Sequence, residues 1–508
     1  MLYTGGFLLL NKKTETTALP LRLRFLLDTN VLIPLQDTYQ ILTPNLANFI
    51  RLANVGGHQL LYHPATVADF RRDPDEPRQT RNLQRLNQYS QLDSAPPCPW
   101  NAADTSPNDA CDNEILYALH CDAVHALVTE DRGIHGKARG LGLWDRVYTI
   151  QTAEDWLRRL HEPRQIVLPN IEDVPLHSLT PVLPTKFFDS LREGYAGFDK
   201  WFREKARDAR RAWIYRDDDG QLAALCIYDV QTDELINDAQ ERLTGNALKL
   251  CTFKVGETVR GRKIGELFLK AAFRFATERA CEHIFTHTDA DEHDYLVRLL
   301  EDFGFVQSGA YGRDAVLVKA HPRMVPDAPE LAPFEYARRF FPHYRQDAEI
   351  QKFIIPIQPR YHDTLLPDYD PHQSRLFGVE NSAGNAIKLA YLCHAQTNSL
   401  CSGDLVLFYR TKDEMALTSI GVVEDFIASQ DAAAIASLVS RRTVYSREDI
   451  EKMAAKPTKV ILFRLLEHLP QQVSYLQLER DCGVAGPIQS IRKIQHDQFT
   501  RILTAAGR

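Results

Sequence analysis

Cysteine is scarce in this sequence and nowhere closely paired. Nine cysteines are spread from Cys98 to Cys482 over 508 residues, with no Cys-x-x-Cys motif. The odd count and wide spacing exclude a disulfide framework and a zinc site built on paired thiolates. Reduced thiols in a cytoplasm fit this pattern, as small core residues rather than catalysts. Long apolar runs are missing too. Runs such as Phe7–Leu10 fall far short of the ~20 residues that cross a bilayer. The N-terminus carries no basic stretch, extended apolar core or Ala-x-Ala site, so no secretory signal is expected. The expectation is a cytoplasmic protein without a membrane partner. Excess basic charge is the third absence. Sixty Lys and Arg against sixty-seven Asp and Glu leave a net charge of -7. That excludes a chain-wide basic field for nucleic acid but not local basic patches.

What is present is an ordinary globular composition, 44% hydrophobic and 25% charged, enough for several buried cores. The length corresponds to roughly three domains. Proline removes a backbone donor and interrupts periodic elements, so the proline-rich stretches 162–184 and 321–333 read as linkers. The domains predicted are 20–162, 185–320 and 335–505. The fold class expected is multidomain α/β: a parallel-sheet α/β domain, a mixed α/β domain and a small, strand-rich, partly open β-barrel.

In the first domain, strands at Leu21–Leu27, Val124–Val128 and Arg146–Ile150 alternate with helical segments. Asp28 ends the first strand and Asp131 follows another, in LVTED. In open α/β sheets ligands bind beyond the carboxyl ends of the strands. Asp69 lies on a helix, and Asp109 and Asp112 are spaced to share one helix face. Carboxylates converging from separate elements form an oxygen-only ligand set that suits Mg²⁺ or Mn²⁺. Taken singly, each of these residues is equally a helix cap or a surface group. The strings FLLDTNVLI, VADF, ACDNEIL and LVTED, in that order, resemble the PIN-domain nuclease family. The resemblance implies catalytic and metal-binding roles for Asp28, Asp69, Asp112 and Asp131, with Asp109 and Thr129 auxiliary. It also implies single-strand RNA cleavage, an antitoxin protein as partner, and pairing into a homodimer. Nearby, Arg71, Arg72, Arg78, Arg81 and Arg85 could meet phosphate or pair with Asp73, Asp75 and Glu76.

In the second domain, the strand LKLCTFKV runs into a turn with glycines and then a helix. Exposed N–H groups at a helix start suit a diphosphate. RGRKIGELFLK, followed by LLEDFGF, resembles the GNAT acetyltransferase family. The resemblance implies acetyl-CoA on Val259, Arg260, Gly261, Arg262, Lys263, Ile264 and Gly265. Lys263 stands where the family's middle glycine is expected, and Leu300 stands where many members carry a tyrosine general acid. Glu257, His287 and Asp289 are the candidate bases.

The third domain is rich in strands. GNAIKLAYL, SGDLVLFYR and SIGVVED resemble the PUA-like superfamily in its ASCH/EVE branch, which implies RNA binding. Phe334–Arg345 interleaves aromatics with arginines, either as a base-stacking surface or as a packed connecting helix. The leading expectation is a metal-dependent RNA endonuclease with acetyl-CoA-binding and RNA-reading modules. The alternative is an N-acetyltransferase acting on aminoacyl-tRNA or protein amines, its flanking domains holding RNA.

Overall fold

Three runs of strands fold into three separate sheets. The computed structural model describes residues 21–36, 43–101, 106–162, 171–217, 219–256, 259, 263–289, 294–366, 369, 387–397, 399–440, 442 and 445–508. Glu257, Arg260, Gly261 and Arg262 lie outside the described residues.

The first sheet is parallel throughout. Its strands are β1 (Arg24–Leu27), β2 (Gln59–Tyr62), β3 (Ser90–Gln91), β4 (Ala126–Val128) and β5 (Val147–Tyr148), in the order β3-β2-β1-β4-β5. A parallel sheet is covered on both faces, so its central strands are apolar at successive positions. Phe25 and Leu27 join one core with Phe49 and Trp156, while Leu26 joins another with Ile115 and Leu127. The helices are α1 (Thr29–Gln36), α2 (Pro44–Val55), α3 (Pro64–Phe70), α4 (Glu76–Leu86), α5 (Pro107–His120), α6 (Arg132–Gly140) and α7 (Ile150–His161).

The second sheet has seven strands: β6 (Ile171–Pro175), β7 (Arg211–Arg216), β8 (Leu222–Thr232), β9 (Asn246–Val255), β10 (His283–Thr288), β11 (Val306–Tyr311) and β12 (Asp314–Ala320). Their order is β11-β12-β10-β9-β8-β7-β6. Among the described residues, β9 and β10 are its only parallel pair. Helices α8 (Asp189–Gly194), α9 (Phe198–Arg207), α10 (Ile264–Glu278) and α11 (Asp294–Asp302) accompany it. The proline-rich stretch read as a linker therefore begins its described part as an edge strand. Pro175 ends β6 at the rim of the sheet, where a missing donor is tolerated.

Helix α12 (Pro333–Phe340) leads into the third sheet: β13 (Lys352–Ile357), β14 (Lys388–Cys393), β15 (Leu405–Arg410), β16 (Ala416–Ser429), β17 (Thr458–Ser474) and β18 (Arg492–Ile494). The order is β14-β17-β16-β15-β13-β18, and among the described residues no pairing joins β14 to β18. A serine cap opens the helix Arg447–Ala454, with Ser446 and Asp449 satisfying each other's backbone N–H groups as their spacing predicts. Among the described residues no helix is long and apolar enough to cross a membrane.

The third domain packs against both of the others. Ile435, Val439 and Tyr445 share a core with Trp156 and Leu160 of α7. Phe341 and Ile354 share one with Phe273 and Phe303. Tyr148 and Ser440 exchange a hydrogen bond of 2.5 Å across the first junction.

Candidate functional site

Two places collect chemistry. The first is the carboxyl edge of the parallel sheet. Asp28 follows β1 and is buried. Its Oδ2 accepts the Thr129 hydroxyl at 2.6 Å, and its Oδ1 accepts the Thr29 N–H at 2.7 Å. Burial, opposed by those donors and reinforced by Asp112 and Asp131, pushes its carboxyl up to about 6. Burial, then the fields of Asp69, Asp28 and Asp112, push the neighbouring Cys111 thiol up to about 12. Asp28, Asp112 and Asp131 are thus within electrostatic reach of one another.

Their oxygens, however, are engaged by the protein. Asp131 caps α6, its Oδ1 accepting the N–H groups of Gly133 at 2.6 Å and Ile134 at 3.1 Å. Asp69 pairs with Arg72 at 2.5 Å. Asp109 and Asp112 share the Lys137 ammonium, at 2.6 and 2.9 Å. Among the described residues no group of three or more His, Cys, Asp or Glu side chains is placed to hold a metal ion. As arranged, the donor set does not fit the divalent cation expected from the sequence. Of the arginines on and before α4, Arg78 pairs with Asp73 at 2.6 Å, while Arg71 and Arg81 are exposed.

The second place is the centre of the seven-stranded sheet. The parallel register of β9 and β10 runs from Ala247 with His283 to Leu250 with Thr286 and then stops. Both strands continue, β9 held by β8 as far as Val255 and β10 by β12 as far as Thr288. The central strands therefore part at their carboxyl ends, leaving an opening with unpaired strand edges. Thr288 is buried beside it, and among the described residues its hydroxyl has no hydrogen-bond partner. Lys254, on the parted half of β9, donates to Ser190 Oγ of α8 at 2.5 Å.

The helix after β9 is α10. Lys263 caps it in the left-handed region at φ 61°. This is a conformation that glycine adopts without strain and that costs another residue roughly 1–2 kcal/mol. Lys263 Nζ donates to the Lys388 carbonyl at 3.0 Å and pairs with Glu266 at 3.3 Å. Burial, against Glu266 and with Arg442, Lys388 and Arg159 adding to it, lowers the Lys263 ammonium to about 8. Val259 and Ile264 are buried, so their backbone is what they offer a ligand. Gly265 packs under Leu299, whose Cδ2 would stand 2.7 Å from an added Cβ. Backbone N–H groups at a helix start such as that of α10 are of the kind that suit a diphosphate.

Among the sequence-picked bases, His287 Nε2 sits 3.0 Å from the Ile236 carbonyl, and burial and Lys249 lower its imidazole to about 4. Asp289 is buried, with Arg313 Nε 3.7 Å away. Leu300 is fully buried in the core, and Tyr295 is exposed. Two further groups, Tyr195 and Asp314, lie near the carboxyl end of β10. The Tyr195 hydroxyl donates to Asp314 Oδ1 at 3.4 Å and lies against the Asp289 backbone. Burial, then Asp314, push that hydroxyl up to about 12. Tyr195 sits in the turn between α8 and α9, where no periodic pattern marks it.

The aromatic–arginine stretch is a packed connection. Tyr336, Phe341 and Tyr344 are buried, Tyr336 donates to the Pro326 carbonyl at 2.6 Å, and Tyr344 donates to Glu467 at 2.8 Å. Arg338 pairs with Glu335 at 2.7 Å and Arg345 with Asp347 at 2.8 Å. These rings are not open for base stacking.

The model of the acetyltransferase (GNAT) family matches residues 169–305. The chain thus contains a GNAT-like domain. No curated protein matches the chain. Among solved structures, the ASCH protein of Zymomonas mobilis is similar at 12% identity and TM-score 0.24, covering 30% of this chain and 94% of its own. Arylalkylamine N-acetyltransferase 2 of Aedes aegypti is similar at 11% identity and TM-score 0.24, covering 30% of this chain and 98% of its own.

Proposed function

We propose that the protein is an acetyl-CoA-dependent N-acetyltransferase, with the middle domain as the catalytic unit. The observation that carries this reading is the GNAT match over a sheet whose central parallel pair parts after Leu250 and Thr286. Bound acetyl-CoA supplies an activated acetyl thioester. Backbone groups of Lys263, Ile264 and Gly265 hold its diphosphate at the start of α10, together with Val259 and the segment Arg260–Arg262 that precedes it. Asp314 accepts the proton that the acceptor amine loses as its nitrogen bonds to the acetyl carbon. Tyr195 donates a proton to the sulfur that departs, and the 3.4 Å contact returns a proton to it from Asp314. Tyr195 thereby supplies what a tyrosine at position 300 would have supplied. The acceptor is the amine of an aminoacyl-tRNA or of a protein, presented by the flanking domains, of which the third is PUA-like.

The test is transfer of radiolabelled acetyl from acetyl-CoA, with charged tRNA in one arm and a lysine peptide in the other. Transfer in neither arm, with acetyl-CoA bound, contradicts the acceptor assignment. Absence of acetyl-CoA binding contradicts the reading as a whole.

A second reading, RNA cleavage by the first domain as in a toxin–antitoxin pair, is favoured by the mutual reach of Asp28, Asp112 and Asp131. Its test is RNA integrity on expression of the parent beside Asp28→Asn. Equal cleavage by both contradicts it.

A further inference from the structure

The acidic edge of the first domain carries its own cation. Helix α6 is fixed at its start by the Asp131 cap and along its length by Ile134 and Ala138, which are buried in the core that holds Ile115 and Leu119 of α5. That packing brings Lys137 alongside α5. Its ammonium reaches Asp109 at 2.6 Å and Asp112 at 2.9 Å, the two carboxylates that α5 presents on one face. The side chain is two-thirds covered, so solvent screens these contacts only in part. Arg72 does the same for Asp69 from α3's own C-terminal end. Asp28 and Asp131 are satisfied by neutral donors, namely Thr129, Thr29 and the first N–H groups of α6.

We infer that Lys137 is the resident cation of this edge, standing in the place of the divalent ion that the ordered aspartates imply. A divalent cation at α5 would compete with the ammonium for the Asp112 carboxylate. The ammonium is tethered, so it competes at every metal concentration. The PIN-like acid set is in this way compensated from within the chain.

The experiment uses the full chain and Mn²⁺ alone, with free Mn²⁺ followed by electron paramagnetic resonance. The variants are Lys137→Met, Lys137→Gln, Lys137→Arg, and Lys137→Met combined with Asp112→Asn. Far-ultraviolet circular dichroism confirms that each is folded, and Lys137→Gln serves if Lys137→Met is not. The expected result is Mn²⁺ affinity raised at least about tenfold in Lys137→Met or Lys137→Gln. It stays at the parent's level in Lys137→Arg and in the double variant. Parent affinity equal to that of the neutral variants overturns the inference, and so does a folded neutral variant that gains no Mn²⁺.

Discussion

Asp302, the last residue of α11, is held by Arg464 of β17 across the junction between the second and third domains. Its Oδ1 accepts Arg464 Nη2 at 2.7 Å, and its main-chain oxygen accepts Nη1 at 2.6 Å. Lys388 Nζ takes the other carboxylate oxygen at 2.6 Å and lies over the Trp144 ring of the first domain. Arg464 is almost wholly buried. Removing Arg464 leaves Asp302 with Lys388 alone, so the loss should stay below the about 3–5 kcal/mol of a buried charge stripped of every partner. Arg464→Met should therefore separate the domains at lower urea than the parent. The double variant with Asp302→Asn should lose less than the sum of the two single losses, because the sites share one network. Additive losses would show that the contact is incidental.

The same junction should open in acid. Burial works against the charge of Glu424, yet Arg442 at 2.7 Å, with Lys388 and Arg464, holds its carboxyl down to about 2 from 4.5. Asp302 lies well below its usual value, since Arg464 and Lys388 outweigh its burial. Both folded values are depressed, so the stability these groups contribute is complete above the unfolded values of 3.8 and 4.5. It is lost as pH falls from there through the folded values. Small-angle scattering should show the chain expanding between pH 4.5 and about 2. Glu424→Gln should expand at higher pH than the parent.

Gly304 is required twice over. It sits at φ 84°, and an added Cβ would run into the Arg338 carbonyl at the end of α12. Gly304→Ala should cost about 1–2 kcal/mol from the backbone alone, and more from the clash. Asparagine tolerates the left-handed region but brings the same Cβ. Gly304→Asn should thus be no better than Gly304→Ala in thermal unfolding, and rescue by asparagine would show that only the φ matters.

Near the carboxyl end of β10, Tyr195→Phe and Asp314→Asn should each lower the rate of acetyl transfer about 10²-fold. Acetyl-CoA affinity should stay within about twofold of the parent, since neither group lies at the α10 start. Loss of affinity in step with rate would assign them to binding.

The two sites were legible in the sequence to different depths. Asp28 and Asp131 could be found because the apolar strands RFLL and ALV end just before them, and strand ends are where α/β sheets place ligands. Lys137 could not. Six residues beyond Asp131 it reads as a solvated helix face, and only the packing of α6 on α5 brings it to Asp112. The α10 turn was read from its glycines, but the parting of β9 and β10 belongs to register, which strand composition does not encode. Ile171–Pro175 carries the proline of a linker, yet it is an edge strand, where a missing donor is tolerated. The aromatic stretch of α12 shows the converse. Its rings alternate with arginines as a stacking surface would, yet Tyr336 is buried and the core between two domains claims Phe341 and Tyr344.

Isothermal titration of acetyl-CoA into the full chain tests the central claim most directly. The account predicts a single saturable site of micromolar affinity, about −8 kcal/mol, weakened by Gly265→Val, whose side chain collides with Leu299. No heat and no shift in thermal unfolding at millimolar acetyl-CoA would contradict it.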